Sequence, residues 1–80
     1  MDWRKYIVAT PGTRSGQPRI DGTRITVKDV LEYMAGGMSE AELIEDFPEL
    51  TPERIRACLA FAASIENRIQ IAVSSARTVA

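Results

Sequence analysis

The sequence predicts a mainly α fold: one domain of 80 residues in which a trihelical helix-turn-helix unit follows a short N-terminal β-hairpin. Three observations predict it. Beyond residue 26 the same helix-start grammar recurs three times. The first two of those starts are each followed by a legible stop. Before residue 26 the chain reads as extended, with Asp21-Gly22 set between two short runs that suit strands.

Tyr6-Ile7-Val8-Ala9 is the first strand candidate, ended by the turn signal Pro11-Gly12. A loop over Thr13-Arg14-Ser15-Gly16 leads to Pro18-Arg19-Ile20 and Thr23-Arg24-Ile25. The Asp21-Gly22 dipeptide between them suits a two-residue type I′ turn, because Gly22 takes a positive φ without a Cβ penalty. A turn of that type sets Ile20 opposite Thr23, Arg19 opposite Arg24 and Pro18 opposite Ile25. Two arginines facing one another repel. The pairing therefore calls for a negative group beside Arg19 and Arg24: Asp29 or Glu32, a partner's carboxylate, or a phosphate.

The helices follow. Thr26, Ser39 and Thr51 each have a large apolar residue before them (Ile25, Met38, Leu50) and another four positions later (Val30, Leu43, Ile55). This is an N-cap hydroxyl with a hydrophobic staple. Asp29, Glu42 and Glu53 place acids in the first turns, where the helix dipole favours them, and Pro52 stands at N1, where a missing N–H costs nothing. Helix one begins near residue 27, carries Val27, Val30, Leu31 and Met34, and stops at Gly36-Gly37. Helix two spans about Glu40 to Asp46, with Leu43, Ile44 and Phe47 inward and Pro48 barring continuation. Helix three begins near residue 52. Its predicted core stripe is Ile55, Cys58, Leu59, Ala62, Ile65, Ile69, Ala72 and Val73, and its outward side is Ala57, Ala60, Ala63 and Ser64. The domain thus divides into a β element over 5–27, a helix-turn-helix over 27–66 and a C-terminal helical extension over 67–80.

Composition narrows the function. With 26% charged and 45% hydrophobic residues the chain is an ordinary globular one. A core this small supplies about 3–5 kcal/mol, and a single cysteine allows no internal disulfide. A homodimer is the expected remedy. No histidine is present, so a Cys/His zinc site is excluded and no cofactor is expected. The start has no apolar leader, and the longest apolar run, Cys58 to Ala63, is far short of a membrane span. A cytoplasmic protein with no membrane contact is expected. An enzyme is not: no general base, metal set or phosphate-cradling loop is legible, and Cys58 reads as a buried, inert thiol.

Charge is unevenly spread. Residues 1–28 carry a balance of +4, residues 29–53 hold eight acids and no base, and residues 54–80 carry +3. In a helix-turn-helix, the start of helix three enters the major groove, which makes Thr51, Arg54 and Arg56 the candidate DNA-binding residues. Lys28, Arg19 and Arg24 are candidate phosphate, anion or partner contacts. The competing reading is a trihelical unit whose small-residue surface packs against another helix. The acidic second helix and a pI near 5.3 favour that one. Trp3 and Tyr6, in a basic arm with Arg4 and Lys5, are candidate interface anchors.

The run Gly16-Gln17-Pro18-Arg19-Ile20-Asp21-Gly22-Thr23-Arg24-Ile25-Thr26-Val27 resembles the signature G-x-P-x-I-x-G-T-R-I-x-V of the small bacterial family called domain of unknown function 433, at all eight fixed positions. Gly37-Met38-Ser39, Asp46-Phe47-Pro48-Glu49-Leu50-Thr51 and Ile55 extend the resemblance to about residues 6–63. It implies a winged-helix-like helix-turn-helix fold with a short β element. Members commonly lie beside genes for PIN-like nucleases, and some act as VapB-type antitoxins. By that analogy the chain is expected to bind and silence a PIN-like toxin and, as a dimer, to repress its own operon by binding duplex DNA. The alternative is a protein-interaction module, a dimeric scaffold or inhibitor, that never touches DNA. Residues 67–80 lie beyond the resemblance.

Overall fold

The structure is a computed structural model that describes the chain from residue 1 to 79, and its side chains as far as residue 66. The predicted extended segment forms two short strands, β1 (Ile7–Val8) and β2 (Arg19–Ile20), and the predicted helices are α1 (Val27–Ala35), α2 (Glu40–Asp46) and α3 (Pro52–Val79). A single 3-10 turn, Trp3–Lys5, precedes β1 and is capped by the Asp2 carboxylate, which accepts from the Arg4 N–H at 3.2 Å.

All three helix starts close as hydroxyl caps. Thr26 and Ser39 form full capping boxes with Asp29 and Glu42. The Thr51 hydroxyl accepts from the Arg54 N–H at 3.2 Å. At the far end of α1, Gly37 (φ +104°) donates to the Met34 carbonyl at 3.0 Å and Met38 to that of Tyr33 at 3.1 Å. This crossed pair of bonds is the Schellman stop, and it requires a left-handed residue at Gly37.

The β element pairs differently from the expected hairpin. Antiparallel β1 and β2 set Ile7 opposite Ile20 and Val8 opposite Arg19. Downstream, Arg19 lies opposite Thr26, and Arg24 is displaced from it by two residues of register. Thr23 causes the shift. Its N–H closes a turn on the Ile20 carbonyl at 3.0 Å. Its hydroxyl donates to that same carbonyl at 2.9 Å and accepts from the Ile25 N–H at 3.1 Å. Gly22 alone of the two central residues has positive φ, so the turn is not type I′. Residues 23 and 24 are absorbed into the loop, and the ladder resumes with Ile20 donating to the Ile25 carbonyl at 2.9 Å. Among the described residues no acid answers Arg19: Asp29 pairs with Arg14 and Glu32 with Lys28.

The core is a continuous cluster of Ile7, Ile20, Val27, Val30, Leu43, Leu50, Ile55, Ala57 and Cys58. Ala57 is fully buried, which corrects its assignment to the outward side of α3, whereas Leu59 is 42% and Ile65 39% exposed. The reason is the N-terminal arm. Trp3 packs edge-on against Phe61, ring centroids 4.9 Å apart, so α3 is covered from a side that a stripe read on the helix alone does not reveal. The predicted stripe members Ile69, Ala72 and Val73 have side chains outside the described residues.

Candidate interaction surface

Val27 and Leu31, one turn apart on α1, face Phe61, Ala62 and Ile65 on α3 across a groove of about 450 Å³, closed at one end by Pro18. Val30, one position before Leu31, is turned about 100° away around the helix and is fully buried. Leu31 is thereby left for the groove. The Pro18 wall is pinned in place because its carbonyl accepts the Val27 N–H at 3.0 Å. Lys28 and Glu32 also line the groove and form an i,i+4 ion pair at 3.8 Å, with both side chains about two-thirds exposed. The groove is therefore apolar, with a charge-balanced rim.

The loop behind Pro18 is built to hold its shape. Arg14, Ser15 and Gly16 take consecutive left-handed conformations, φ 50°, 58° and 75°. That geometry is unfavourable for the two residues with a Cβ. Two arginines tie the loop down. Arg14 pairs with Asp29 at 3.2 Å, on the carboxylate oxygen that also accepts from the Thr26 N–H. Arg19 donates to the Thr10 hydroxyl at 3.1 Å and the Thr23 carbonyl at 3.3 Å.

Of the residues predicted to read DNA, Thr51, Arg54 and Arg56 stand at the start of α3. The Thr51 hydroxyl is taken up by the cap of α3, and the Arg54 guanidinium donates back to the Glu49 carbonyl. Arg56 and Arg24 are exposed and make no ion pair among the described residues. Lys28 lies on the groove rim, away from the start of α3. Arg19 serves as an internal clasp. Trp3 lies on Phe61 of its own chain, and Tyr6 is half-buried with its carbonyl accepting the Asp21 N–H at 2.8 Å.

Two titrations bear on chemistry. Burial pushes the Cys58 thiol up to about 11, so at neutral pH it is protonated and a poor nucleophile. Hydrogen bonds from Ser39, its backbone N–H first, hold the Glu42 carboxyl below its ordinary range. Among the described residues no three His, Cys, Asp or Glu side chains gather to hold a metal ion. No helix there is long and apolar enough to cross a membrane.

The groove residues Leu31, Phe61 and Ile65 were not legible as a site. Leu31 and Ile65 read as core, and Phe61 belonged to no predicted face. The available signal was the adjacency of Val30 and Leu31, which point about 100° apart around the helix, so that Leu31 is turned off the axis on which Val30 meets the core.

A curated relative, "Uncharacterized protein y4eO" of Sinorhizobium fredii, is 34% identical over 59 residues, covering 74% of this chain and 27% of that protein. The chain thus spans about a quarter of that relative's length. A crystal structure of a DUF433 member protein from Anabaena variabilis superposes with a TM-score of 0.72 at 32% identity, over 85% of this chain and 67% of that one. The family model described as "Protein of unknown function (DUF433)" matches residues 7–62, including the Gly16–Val27 signature and both walls of the groove as far as Ala62. On these matches the chain belongs to the DUF433 family.

Proposed function

We propose that this chain is a non-enzymatic protein-interaction module of helix-turn-helix architecture whose α1/α3 groove seats an apolar helix of another polypeptide. The observation that carries the reading is the groove itself: apolar walls from two rigid helices, a fixed Pro18 end and exposed Ile65 beside it. This is the geometry of helix-in-groove recognition. The antitoxin analogy supplies a partner class, a PIN-like toxin encoded beside the gene. The operator-binding half of that analogy has less support, since the Thr51 hydroxyl caps α3, the Arg54 guanidinium donates to the Glu49 carbonyl, and residues 29–53 carry eight acids and no base.

Calorimetric titration against a PIN-like nuclease protein tests the reading. Leu31→Asp is expected to weaken binding at least tenfold, about 1.4 kcal/mol. Equal binding by wild type and variant overturns it. A parallel salt series on upstream duplex DNA is expected to show no sequence-specific binding by the free chain. Specific binding lost in Arg56→Ala restores the repressor reading.

A further inference from the structure

We infer that the outward face of α3 is a self-association surface, on which two copies of this chain pair antiparallel about a two-fold axis beside residue 61. Leu59 of each copy seats on Ala63 of the other. This surface is distinct from the groove. Phe61 and Ile65, which line the groove, stand about 160° and 120° around α3 from Leu59.

Four large apolar side chains are exposed among the described residues: Met1, Tyr33, Leu59 and Ile65. Met1 is terminal, Tyr33 lies against Phe47 with ring centroids 5.2 Å apart, and Ile65 lines the groove. Leu59, 42% exposed, has none of these roles. It is also part of a longer pattern. Pro52, Arg56, Leu59, Ala63 and Glu66 are all exposed, at intervals of four, three, four and three residues. That is the 3.5-residue repeat with which one helix presents a continuous seam to another. α3 is unbroken from Pro52 to Val79, so its own later turns cannot fold back over the seam.

Charge and symmetry select a second copy. The seam carries one cation, Arg56, and one anion, Glu66, ten residues or about 15 Å apart, too far to pair within one chain. Arg56 makes no ion pair among the described residues. Arg56 and Glu66 are each five residues from position 61, and Leu59 and Ala63 are each two residues from it. An antiparallel copy turned about that position therefore sets each Arg56 against the partner's Glu66 and each Leu59 against the partner's Ala63. This is the rule of a two-fold interface, in which residue i meets j and j meets i. The large side chain enters the gap left by the small one, and both charges are answered. A parallel pairing would bring Arg56 to Arg56 and Glu66 to Glu66. A seam of about four turns buries less than the standard interface of about 1,600 Å². Monomer and dimer are therefore expected to exchange with concentration.

Sedimentation equilibrium of the full chain over a concentration series tests the inference, with circular dichroism confirming that each variant keeps its helices. Leu59→Lys is expected to weaken dimerisation at least tenfold. Arg56→Glu and Glu66→Arg each set like charges together at both ends of the seam, and each is expected to weaken it by a similar factor. An equimolar mixture of those two variants is expected to recover the wild-type dimer, because both contacts between positions 56 and 66 in the mixed pair again join opposite charges. Leu31→Asp, in the groove, is expected to leave self-association unchanged. A wild type that stays monomeric overturns the inference, as does a dimer indifferent to Leu59→Lys. A dimer that Leu59→Lys weakens but the charge-swapped mixture fails to restore overturns it too, because its seam is then not antiparallel about residue 61.

Discussion

The helix starts and the β element are held together in opposite ways. At Thr26 and Ser39 every bond of the capping box lies within three residues. In the β element, Ile7 pairs with Ile20 thirteen positions away, and the loop between them is tied down by Arg14 to Asp29 and Arg19 to Thr10. A local bond is available as soon as its few residues adopt helical angles. A ladder between distant segments acquires its register only when a turn and a core face agree on it. Thr23, buried and bonded on both sides of the turn, is where that agreement is made.

The largest expected effect falls on the non-local region. Thr23→Val removes both hydroxyl bonds and leaves the Ile25 N–H without its acceptor. The cost is about 2–3 kcal/mol, or about 8–24 °C in Tm for a domain of this size. Calorimetric melting checks it, and a loss below about 1 °C would show that Thr23 does not set the register. A smaller loss is expected at a cap: Ser39→Ala costs about 1 kcal/mol. An equal loss at the two sites would erase the distinction between the regions.

The smallest effect is a pH dependence at α2. Glu42 titrates below its ordinary value when folded because Ser39 donates to it. A depressed carboxyl stabilises the fold at pH above its unfolded value of 4.5, and that contribution is lost as pH falls through the folded value. Glu42→Gln is expected to flatten the acid side of the stability curve slightly, read as Tm between about pH 3 and 7. An unchanged curve would mean that the box is not formed in solution.

Much of the fold was legible because much of it is local. The three N-caps, the Gly36-Gly37 stop, Pro52 at N1 and the bounds of α2 are written in stretches of four or five residues, and each formed where it was read. The hairpin register was not, since Asp21-Gly22 fits more than one turn and the deciding hydroxyl, Thr23, lies just outside it. The α1/α3 groove was less legible still. Thr51 and Arg54 stand at the start of α3 as read, where the Thr51 hydroxyl caps the helix and the Arg54 guanidinium makes one bond, to the Glu49 carbonyl.

The sequence by itself determined where each helix begins and where the first two end, the buried inert character of Cys58 and membership in the family signature, because those depend on neighbours in the chain or on composition. Tertiary structure alone decided which of the apolar residues of α3 face inward and which are left over. The apolar positions of that helix wrap more of its circumference than one neighbour can cover. Trp3, 58 positions upstream, settles the choice by packing on Phe61. Ala57 is thereby core, and Leu31 and Ile65 become the walls of a groove.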